Sequence, residues 1–496
     1  MNLPPSTSTE GPGAGRAGDE REGPRDACGV AGVYAPGYQV SVITHAALLA
    51  LQHRGQESAG IAVSEGTTMV VYKDMGLVDK VFDENTLNSL TGNLAIGHVR
   101  YSTTGSSLWE NAQPIYREKH GAGLALGHNG NLVNTMELAA QIEAVPGSIP
   151  SAASTDSDLI AEMIVNSHKD SMTEAILETL PKLSGAFSLT MMSENTLYGA
   201  RDPHGLRPLQ LGQLSDACYI LASETCALDA VGATWIREIE PGELVVIDAN
   251  GVKSHRFAEA TPALCIFEYV YFSRPDSNLY GRSVQKARHQ MGMVLAGEAP
   301  AAADLVMPVP DSGRGAAAGF AQASGIPYVD GFVKNAYIGR TFIKPTQAGR
   351  NRGIGAKLNP IAHLIEGKRL IVVDDSIVRG NTTRQIVRML RNAGALEVHM
   401  RIASPPIKWP CFYGIDTANR DELIASHKST EEIRDYIEAD SLAYLSLEGM
   451  IAGADVPEEK VCTACFSSKY PIEIPDEVKV TKRMLEGVAA QPPSAP

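Results

Sequence analysis

The chain has 496 residues, of which 44% are hydrophobic and 20% are charged, a composition typical of a globular protein with about two to four domains. Its 57 acidic and 43 basic side chains give a net charge of −14, which argues against a nucleic-acid-binding protein because such proteins need a basic surface. No segment approaches the roughly 20 apolar residues of a membrane span.

Residues 1–27 are rich in Gly, Pro, Ser, Thr and charged residues, and this composition predicts a disordered leader. The leader lacks the apolar centre of a secretory signal, so we expect a cytoplasmic protein. The seven cysteines are then not expected to form disulfides. The tail at 481–496, which ends AAQPPSAP, is also predicted to be disordered.

Two regions with different patterns lie between the leader and the tail. In residues 28–260, short apolar runs such as GVAGVYA and ELVVIDANGV alternate with turn residues and a few helical stretches, which predicts a layered α+β sandwich. In residues 261–480, strand-like runs alternate with helical ones, as in RLIVVDDS followed by TTRQIVRMLRNAG. This second pattern predicts an α/β domain with a parallel sheet.

Cys28 lies where the polar leader gives way to the first apolar run. A lone cysteine in such a setting is most often a small buried hydrophobic residue. If the leader is removed, however, Cys28 becomes the N-terminal residue, and its α-amine can act as the base for its own thiol. Gly29 follows and allows close backbone approach around a nucleophile. The position therefore favours a nucleophilic cysteine exposed by removal of a propeptide.

Three further segments of the first region carry polar residues suited to an acyl-transfer site. GHVRYSTTG (97–105) places Arg100 at a strand end, where it can clamp a carboxylate or form an ordinary salt bridge. GHNGNL (127–132) is expected to place Asn129 and Gly130 in a tight turn, either as an oxyanion hole or as a simple hairpin turn. In STDSDL (154–159), Asp156 either caps a helix or binds an ammonium group.

Together with LQHRGQESAGIAV (51–63), these segments resemble in kind and order the class II, or N-terminal-nucleophile, glutamine amidotransferases. The resemblance implies an αββα sandwich in which Cys28 attacks the glutamine amide, forms a γ-glutamyl thioester and releases ammonia. It assigns Arg100 to the glutamine α-carboxylate and Asp156 to the α-amine. It assigns Asn129 and Gly130 to the oxyanion, with Gly130 also touching the substrate. Because the α-amine serves as base, the nearby histidines are expected to be mostly structural: His53, His98 and His128.

The segment RLIVVDDSIVRGNTT (369–383) combines a buried strand, two acids at its carboxyl end, a loop of small residues and a helix start. Open α/β sheets bind ligands at the carboxyl ends of their strands, and a loop leading into a helix binds anions. The segment resembles the loop of type I phosphoribosyltransferases that binds 5-phosphoribosyl 1-pyrophosphate (PRPP). That resemblance assigns these residues to PRPP: Asp374, Asp375, Ser376, Val378, Arg379, Gly380, Asn381, Thr382 and Thr383.

Two other segments complete the resemblance to a phosphoribosyltransferase. In VMPVPDSGRGAA (306–317), Ser312 lies at a strand-to-helix corner; it either caps the helix or, by the resemblance, joins Asp374 and Asp375 at one Mg²⁺ per subunit. The basic segment 339–360 could be a solvated loop. By resemblance it is the flexible loop that closes over PRPP, with three contact residues: Arg340, Lys344 and Lys357.

Four cysteines of the second region remain, two of them in a CxxC pair: Cys265, Cys411, Cys462 and Cys465. By spacing alone they fit zinc and a [4Fe–4S] cluster equally well. The resemblance favours one [4Fe–4S] cluster per subunit, because some relatives with a propeptide carry such a cluster at matching positions. Cys218 and Cys226 are expected to be core residues.

The two regions joined in one chain resemble the glutamine-dependent PRPP amidotransferases. This implies that ammonia passes through a shielded channel to C1 of PRPP, giving 5-phospho-β-D-ribosylamine, glutamate and diphosphate in the first committed step of purine biosynthesis. It further implies inhibition by purine nucleotides, a homotetramer, and no nucleic-acid or membrane partner. The alternative is a PRPP-sensing regulator with a degenerate transferase domain, which the intact set of Cys28, Arg100, Asn129 and Gly130 disfavours.

Overall fold

The computed structural model describes residues 28–101, 109–119, 121–144, 155–335, 358–415, 420–475 and 478. The predicted leader and the predicted tail lie outside the described residues. So do the three basic residues assigned to the loop over PRPP: Arg340, Lys344 and Lys357.

Two antiparallel sheets form the first half of the molecule. The strands of the first sheet, whose order is β11-β9-β10-β1-β4-β2-β3, are β1 (Gly29–Tyr34), β2 (Ser58–Ser64), β3 (Met69–Met75), β4 (Leu94–Arg100), β9 (Gln210–Ser215), β10 (Cys218–Ala222) and β11 (Thr234–Glu238). The strands of the second, whose order is β13-β12-β8-β7-β6-β5, are β5 (Ile115–Lys119), β6 (Ala122–Leu132), β7 (Gly185–Ser193), β8 (Thr196–Arg201), β12 (Glu243–Asp248) and β13 (Gly251–Arg256).

Helices cover the outer face of each of these sheets, which gives four layers. The first sheet is covered by α1 (Val40–Ala50), α2 (Val78–Val81), α3 (Glu84–Ser89) and α7 (Thr225–Ala230). The second is covered by α4 (Thr135–Glu143), α5 (Asp156–Val165) and α6 (Met172–Thr179).

Strand β1 shows why this region is so apolar. Its side chains alternate between the two faces of the first sheet, as the pleat requires. Val30 packs between the two sheets with Ile96, whereas Ala31 and Val33 pack under the outer helices. Since both faces of β1 are buried, the strand is apolar along its whole length, and the sandwich predicted from such runs is confirmed.

The second half contains a four-stranded parallel sheet. Its strands, in spatial order, are β17 (Leu305–Pro308), β20 (Arg369–Asp374), β21 (Glu397–Ile402) and β22 (Ser441–Tyr444). One face is covered by α8 (Val284–Glu298), α9 (Arg314–Ser324) and α13 (Leu447–Ala454). The other is covered by α11 (Asn381–Asn392) and α12 (Thr430–Ile437).

Small elements connect these layers. Short strand pairs are β14 (Leu264–Cys265) with β23 (Val461–Cys462), β15 (Asn278–Leu279) with β16 (Arg282–Ser283), and β18 (Phe332–Lys334) with β19 (Leu358–Pro360). The short helices are α10 (Ala362–Ile365), α14 (Ala464–Ser467), a π-helix (Glu268–Phe272) and 3₁₀ turns at Trp109–Asn111, Leu180–Lys182, Arg420–Glu422, Ile424–Ser426 and Glu458–Lys460. In the part of the chain that the structure describes, no helix is both long enough and apolar enough to cross a membrane.

Candidate functional site

Cys28 begins the first strand and is buried, with 7% of its surface exposed. Its thiol donates to the carbonyl oxygen of Tyr101 over 3.5 Å. Burial raises the pKa of this thiol; the positive charge of Arg100 lowers it, and the negative charges of Glu57 and Asp156 raise it. The thiol is therefore neutral at physiological pH and needs a base before it can act as a nucleophile.

Two histidines of this region, His98 and His53, are poorly suited to be that base. Burial lowers the pKa of His98 to about 3, and its Nε2 lies 3.0 Å from the carbonyl oxygen of His128. His53 has Nδ1 3.1 Å from the carbonyl oxygen of Ala50 and Nε2 2.7 Å from a carboxylate oxygen of Glu224. Both ring nitrogens of His53 are thus already engaged.

Asn129 and Gly130 lie within strand β6, so the expectation of a tight turn was wrong. The strand continues because its pairing with β7 is unbroken, with Asn129 opposite Ser188 and Gly130 opposite Phe187. The side chain of Asn129 is fully buried, yet neither its oxygen nor its nitrogen has a hydrogen-bond partner among the described residues. A buried amide without a partner costs about 1–3 kcal/mol, so this group is suited to bind a ligand.

The position of Gly130 leaves no room for a side chain. Its φ is +155°, and a Cβ atom would lie 2.0 Å from the carbonyl oxygen of Ala186. Glycine at 130 therefore lets the two strands approach closely beside the unpaired Asn129 amide.

Arg100 ends strand β4 and is buried, with its Nη1 atom 3.0 Å from Glu57 Oε1. A buried guanidinium at a strand end is thus held in place by a carboxylate that the sequence reasoning did not single out. Glu57 lies within the quoted segment LQHRGQESAGIAV, where an acid beside an apolar strand was the available signal.

Asp156 is the first residue of α5, and its carboxylate accepts a hydrogen bond of 3.1 Å from the backbone N–H of Leu132. The helix is capped instead by Thr155, so capping is not the role of Asp156. Burial opposes ionisation of Asp156, but His128 and hydrogen bonds from two backbone N–H groups outweigh it and hold the pKa below its usual value. Asp156 is thus a buried anion close enough to Cys28 to influence its thiol.

The acidic pair lies at the carboxyl end of β20, as predicted from its strand. Ser312 donates to one carboxylate oxygen of Asp375, and Ser376 donates to the other over 2.5 Å. Burial raises the pKa of both carboxyls, and the negative charge of Asp375 raises that of Asp374 further. The side chain of Ser312 does not cap α9, whose N-cap is Gly313. The positive charge of Arg288 lowers the pKa of Asp375, but burial outweighs this effect, so ionisation of the pair is still disfavoured.

The loop after the acidic pair is fixed to the segment that follows β21. Gly380 has a φ of +80° and precedes α11. Arg379 forms an ion pair with Glu422, and Asn381 accepts a hydrogen bond from the hydroxyl of Tyr436. These contacts fix the position of the loop, which connects the acidic pair to the N-terminus of α11.

The remaining loop residues differ in exposure. Val378 packs in the core, and its carbonyl oxygen accepts a 2.9 Å hydrogen bond from Ile424. Ser376 and Thr383 are buried, whereas Thr382 is half-buried in the first turn of α11.

The four cysteines of the second region lie in or against one hydrophobic core. Cys265 and Cys462 are directly opposite each other in the β14–β23 pair. Burial raises the pKa of Cys265 to about 12, and burial together with the charges of the other thiols raises the pKa of Cys462 and Cys465. Among the described residues, no three His, Cys, Asp or Glu side chains converge closely enough for one metal ion. The thiols are near one another without meeting at a point.

A cavity of about 380 Å³ lies between the two halves of the molecule. His53 comes from the first half, while Ser312, Arg288 and Lys334 are among the residues that line it from the second. The neighbour of His53 in the chain, Arg54, donates through Nε to the carbonyl oxygen of Cys28 over 3.1 Å. A residue that lines this cavity is therefore directly bonded in the chain to a residue that contacts Cys28.

A buried ion-pair network joins the two halves. Arg54 contacts Glu224 at 2.5 Å and Glu268 at 2.7 Å, and Arg207 contacts Glu268 at 3.1 Å. All four side chains are at most 1% exposed. The sequence reasoning did not single out this network, although a glutamate within the apolar run IFEYVYF was a signal for a buried charge.

We expect Arg54→Met to lower the free energy of unfolding by about 3–5 kcal/mol, because it removes the buried cation that Glu224 and Glu268 share. Urea unfolding followed by fluorescence measures the change. Arg256→Met is the control, since Arg256 forms an exposed pair with Glu240, and such pairs contribute at most about 1 kcal/mol. Equal losses in the two variants would contradict a stabilising role for the network.

Comparisons with known proteins agree with this geometry. A family described as the glutamine amidotransferase domain matches residues 98–230. An amidophosphoribosyltransferase of Mycobacterium tuberculosis is 56% identical over 477 residues, which cover 94% of this chain and 90% of that protein. The chain belongs to the amidophosphoribosyltransferase family.

Solved structures extend the match to the three-dimensional fold of amidophosphoribosyltransferases. One, described as the allosteric regulatory enzyme of purine biosynthesis, has 46% identity and a TM-score of 0.86, over 92% of this chain and 99% of that one. The other is the Bacillus subtilis glutamine PRPP amidotransferase in complex with ADP and GMP, with 47% identity and a TM-score of 0.85, over 92% of this chain and 100% of that one. The predicted family is confirmed, and this amidophosphoribosyltransferase is an enzyme rather than a regulator with a degenerate domain.

Proposed function

We propose that this enzyme hydrolyses glutamine at Cys28 and passes the ammonia through the shared cavity to C1 of PRPP. The products are 5-phospho-β-D-ribosylamine, glutamate and diphosphate, as in the first committed step of purine biosynthesis. The observation that carries the proposal is this cavity, which is lined by His53 of the first half and by Ser312 of the second. We place the glutaminase domain at 28–260 and the transferase domain at 261–480.

The glutaminase step uses groups already held in place. After removal of residues 1–27, the free α-amine of Cys28 takes the thiol proton, and the sulfur attacks the amide carbon. The N–H groups of Asn129 and Gly130 stabilise the resulting oxyanion. Its collapse breaks the C–N bond, ammonia leaves with the proton, and water then hydrolyses the thioester to glutamate. Arg100 holds the α-carboxylate of glutamine and Asp156 holds its α-ammonium.

The acidic pair fits a divalent cation. The pKa values of both buried carboxyls are raised although Arg288 acts on Asp375, so a divalent cation would stabilise their ionised forms, and oxygen ligands suit Mg²⁺. Asp374, Asp375 and Ser312 would hold it, and when bound it offsets the charge of the departing diphosphate. The loop residues 376–383 bind PRPP through hydroxyl and backbone N–H groups. Closure of the basic loop over PRPP, through Arg340, Lys344 and Lys357, is part of the proposal.

We assign the four cysteines to a [4Fe–4S] cluster, as the family resemblance implies. They lie in or against one apolar core, and Cys265 and Cys462 are opposite each other in the β14–β23 pair. A cubane cluster is held by four cysteine thiolates. The cluster's chemistry is not needed for amide transfer, so we assign it a structural role.

We expect Cys465→Ser to lower the iron content from about four atoms per chain to below one, because a cubane needs four thiolate ligands. Iron and acid-labile sulfide analysis of protein purified without oxygen measures this. Cys226→Ser is the matched control, a buried cysteine of the other domain that packs against α1. Full iron content in the Cys465 variant would contradict the assignment.

One relative supports a proposal about regulation. The Bacillus subtilis structure contains ADP and GMP, so we propose purine nucleotides as feedback inhibitors of this enzyme. We also propose a homotetramer that acts in the cytoplasm.

Product analysis tests the proposed function. Processed protein, whose loss of residues 1–27 is checked by mass spectrometry, receives PRPP, Mg²⁺ and either glutamine or ammonium. We expect phosphoribosylamine and diphosphate with either nitrogen source, and glutamate only with glutamine. Glutamine hydrolysis without phosphoribosylamine would show the transferase assignment to be wrong.

A further inference from the structure

The segment 411–414, with sequence CFYG, reaches from the transferase half of the chain to strand β6 of the glutaminase half. Asn131 Nδ2 donates to the carbonyl oxygen of Phe412 over 2.9 Å. Arg207 donates to the carbonyl oxygen of Tyr413 from Nε over 3.2 Å and from Nη2 over 2.9 Å. Every one of these groups is buried. The segment is thus fixed to the strand that carries Asn129 and Gly130.

Gly414 makes the closest approach to that strand. A Cβ atom on Gly414 would lie 3.1 Å from the carbonyl carbon of Gly130 and 3.2 Å from its oxygen. Gly130 also lies against β7, because a Cβ atom on Gly130 would collide with the carbonyl oxygen of Ala186. The Gly130 peptide is therefore confined by β7 and by Gly414, and close packing of this kind transmits displacements.

The same segment is anchored to the cysteine core. The backbone N–H of Tyr413 donates to Cys411 Sγ over 3.4 Å, and the Tyr413 hydroxyl donates to the carbonyl oxygen of Ile472 over 2.7 Å. Tyr470 donates to the carbonyl oxygen of Pro410 over 2.7 Å. Residues 470 and 472 follow the CxxC pair by only a few positions, so both sides of the segment are tied to the cysteines.

We infer that segment 411–414 positions the oxyanion-binding pair Asn129 and Gly130, so that the cysteine core of the transferase domain sets the rate of glutamine hydrolysis. This inference rests on the proposed roles of Asn129 and Gly130. Gly414, Asn131 and Arg207 are positioning residues, since none of them is assigned to the substrate. Cys411 would be one of the residues that hold the cluster, and loss of the cluster would release it and, through this segment, displace the Gly130 N–H.

Gly414→Ala tests the inference with a single methyl group. We expect kcat for glutamine hydrolysis to fall about 10- to 100-fold, somewhat less than the loss of one oxyanion donor. KM for glutamine should change less than about twofold, because its carboxylate and ammonium groups are bound elsewhere. Ammonia-dependent synthesis should be unchanged, since it does not use the oxyanion site.

Gly251→Ala is the matched control. Gly251 has a φ of +93°, close to the +101° of Gly414, but a Cβ there meets no atom within 4 Å. Both variants therefore place alanine at a similar positive φ, and only Gly414→Ala adds a contact with Gly130. Equal kcat values in the two variants would overturn the inference.

A second variant and a structural readout make the test independent of folding defects. Asn131→Ala removes the hydrogen bond to Phe412 and should reproduce the kcat loss with KM retained. Hydrogen exchange followed by mass spectrometry should rise in residues 126–134 in Gly414→Ala and in wild-type protein stripped of iron, but not in residues 244–256. Unchanged exchange at 126–134 in both samples would also overturn it. If wild-type enzyme hydrolyses no glutamine, the proposed function fails instead.

Discussion

Replacing Cys28 by alanine will abolish glutamine-dependent synthesis of phosphoribosylamine and leave ammonia-dependent synthesis intact. We expect a loss of roughly 10⁴-fold or more with glutamine, the order found when the nucleophile of a covalent mechanism is removed. With ammonium salts the rate should stay within about twofold of wild type, because the proposed acceptor site lies in the other half of the molecule. Steady-state assays with the two nitrogen sources measure both rates.

The raised pKa of the Cys28 thiol leads to a second prediction, about the unprocessed chain. A neutral thiol needs the free α-amine as its base, so a chain that keeps residues 1–27 should behave like Cys28→Ala. Cys218→Ala is the control, since Cys218 is an equally buried cysteine of the same domain, located on strand β10. Glutamine-dependent activity in Cys28→Ala would disprove the assigned nucleophile.

Replacing Asp374 by asparagine will abolish synthesis with both nitrogen sources while glutamine hydrolysis continues. We expect a fall of roughly 10²–10³-fold, the order found when one charge-stabilising group is removed from an active site. The two variants are distinguished by their nitrogen sources. Cys28→Ala should lose synthesis with glutamine only, whereas Asp374→Asn should lose it with both sources because its acceptor site is impaired. Asp304→Asn is the control: Asp304 precedes β17 at the opposite end of the sheet and pairs with Arg369.

The same variant should be more stable than wild type when Mg²⁺ is absent. The pKa of Asp374 in the folded protein lies well above its ordinary value, because of burial and the adjacent Asp375. A carboxyl with a raised pKa contributes its stability at low pH and loses it as the pH rises through the folded pKa. Asparagine stays neutral, so Asp374→Asn should melt at a higher temperature near pH 7.5. The advantage should vanish below about pH 4, where the unfolded carboxyl also protonates.

Mg²⁺ titrations complete this test. The cation should raise the melting temperature of wild type, because it binds the folded state, and should raise that of Asp374→Asn far less. Equal stabilisation of both proteins by Mg²⁺ would show that Asp374 is not a ligand.

The local sequence pattern was sufficient to predict several structural elements. The apolar run of β20 followed by two acids predicted both a parallel strand and a polar site at its carboxyl end, because strand direction and chain order determine that placement. The apolar run of β1 was predicted to be part of a layered sandwich, and the strand is buried along its whole length with Cys28 just before it. The tight turn expected at Asn129 and Gly130 was wrong, since an Asn-Gly pair is a local turn signal, whereas pairing of β6 with β7 is a long-range interaction that prevailed.

By itself, the sequence determined the family, the two domain types and the chemical groups available, because each depends on short segments whose order along the chain is visible. Only the tertiary structure decided which distant groups meet. It brought Glu57 to Arg100, Ser312 to Asp375, and Gly414 to Gly130. Such contacts depend on how layers pack and on which buried charges find partners. Those are properties of the whole fold that no local pattern specifies.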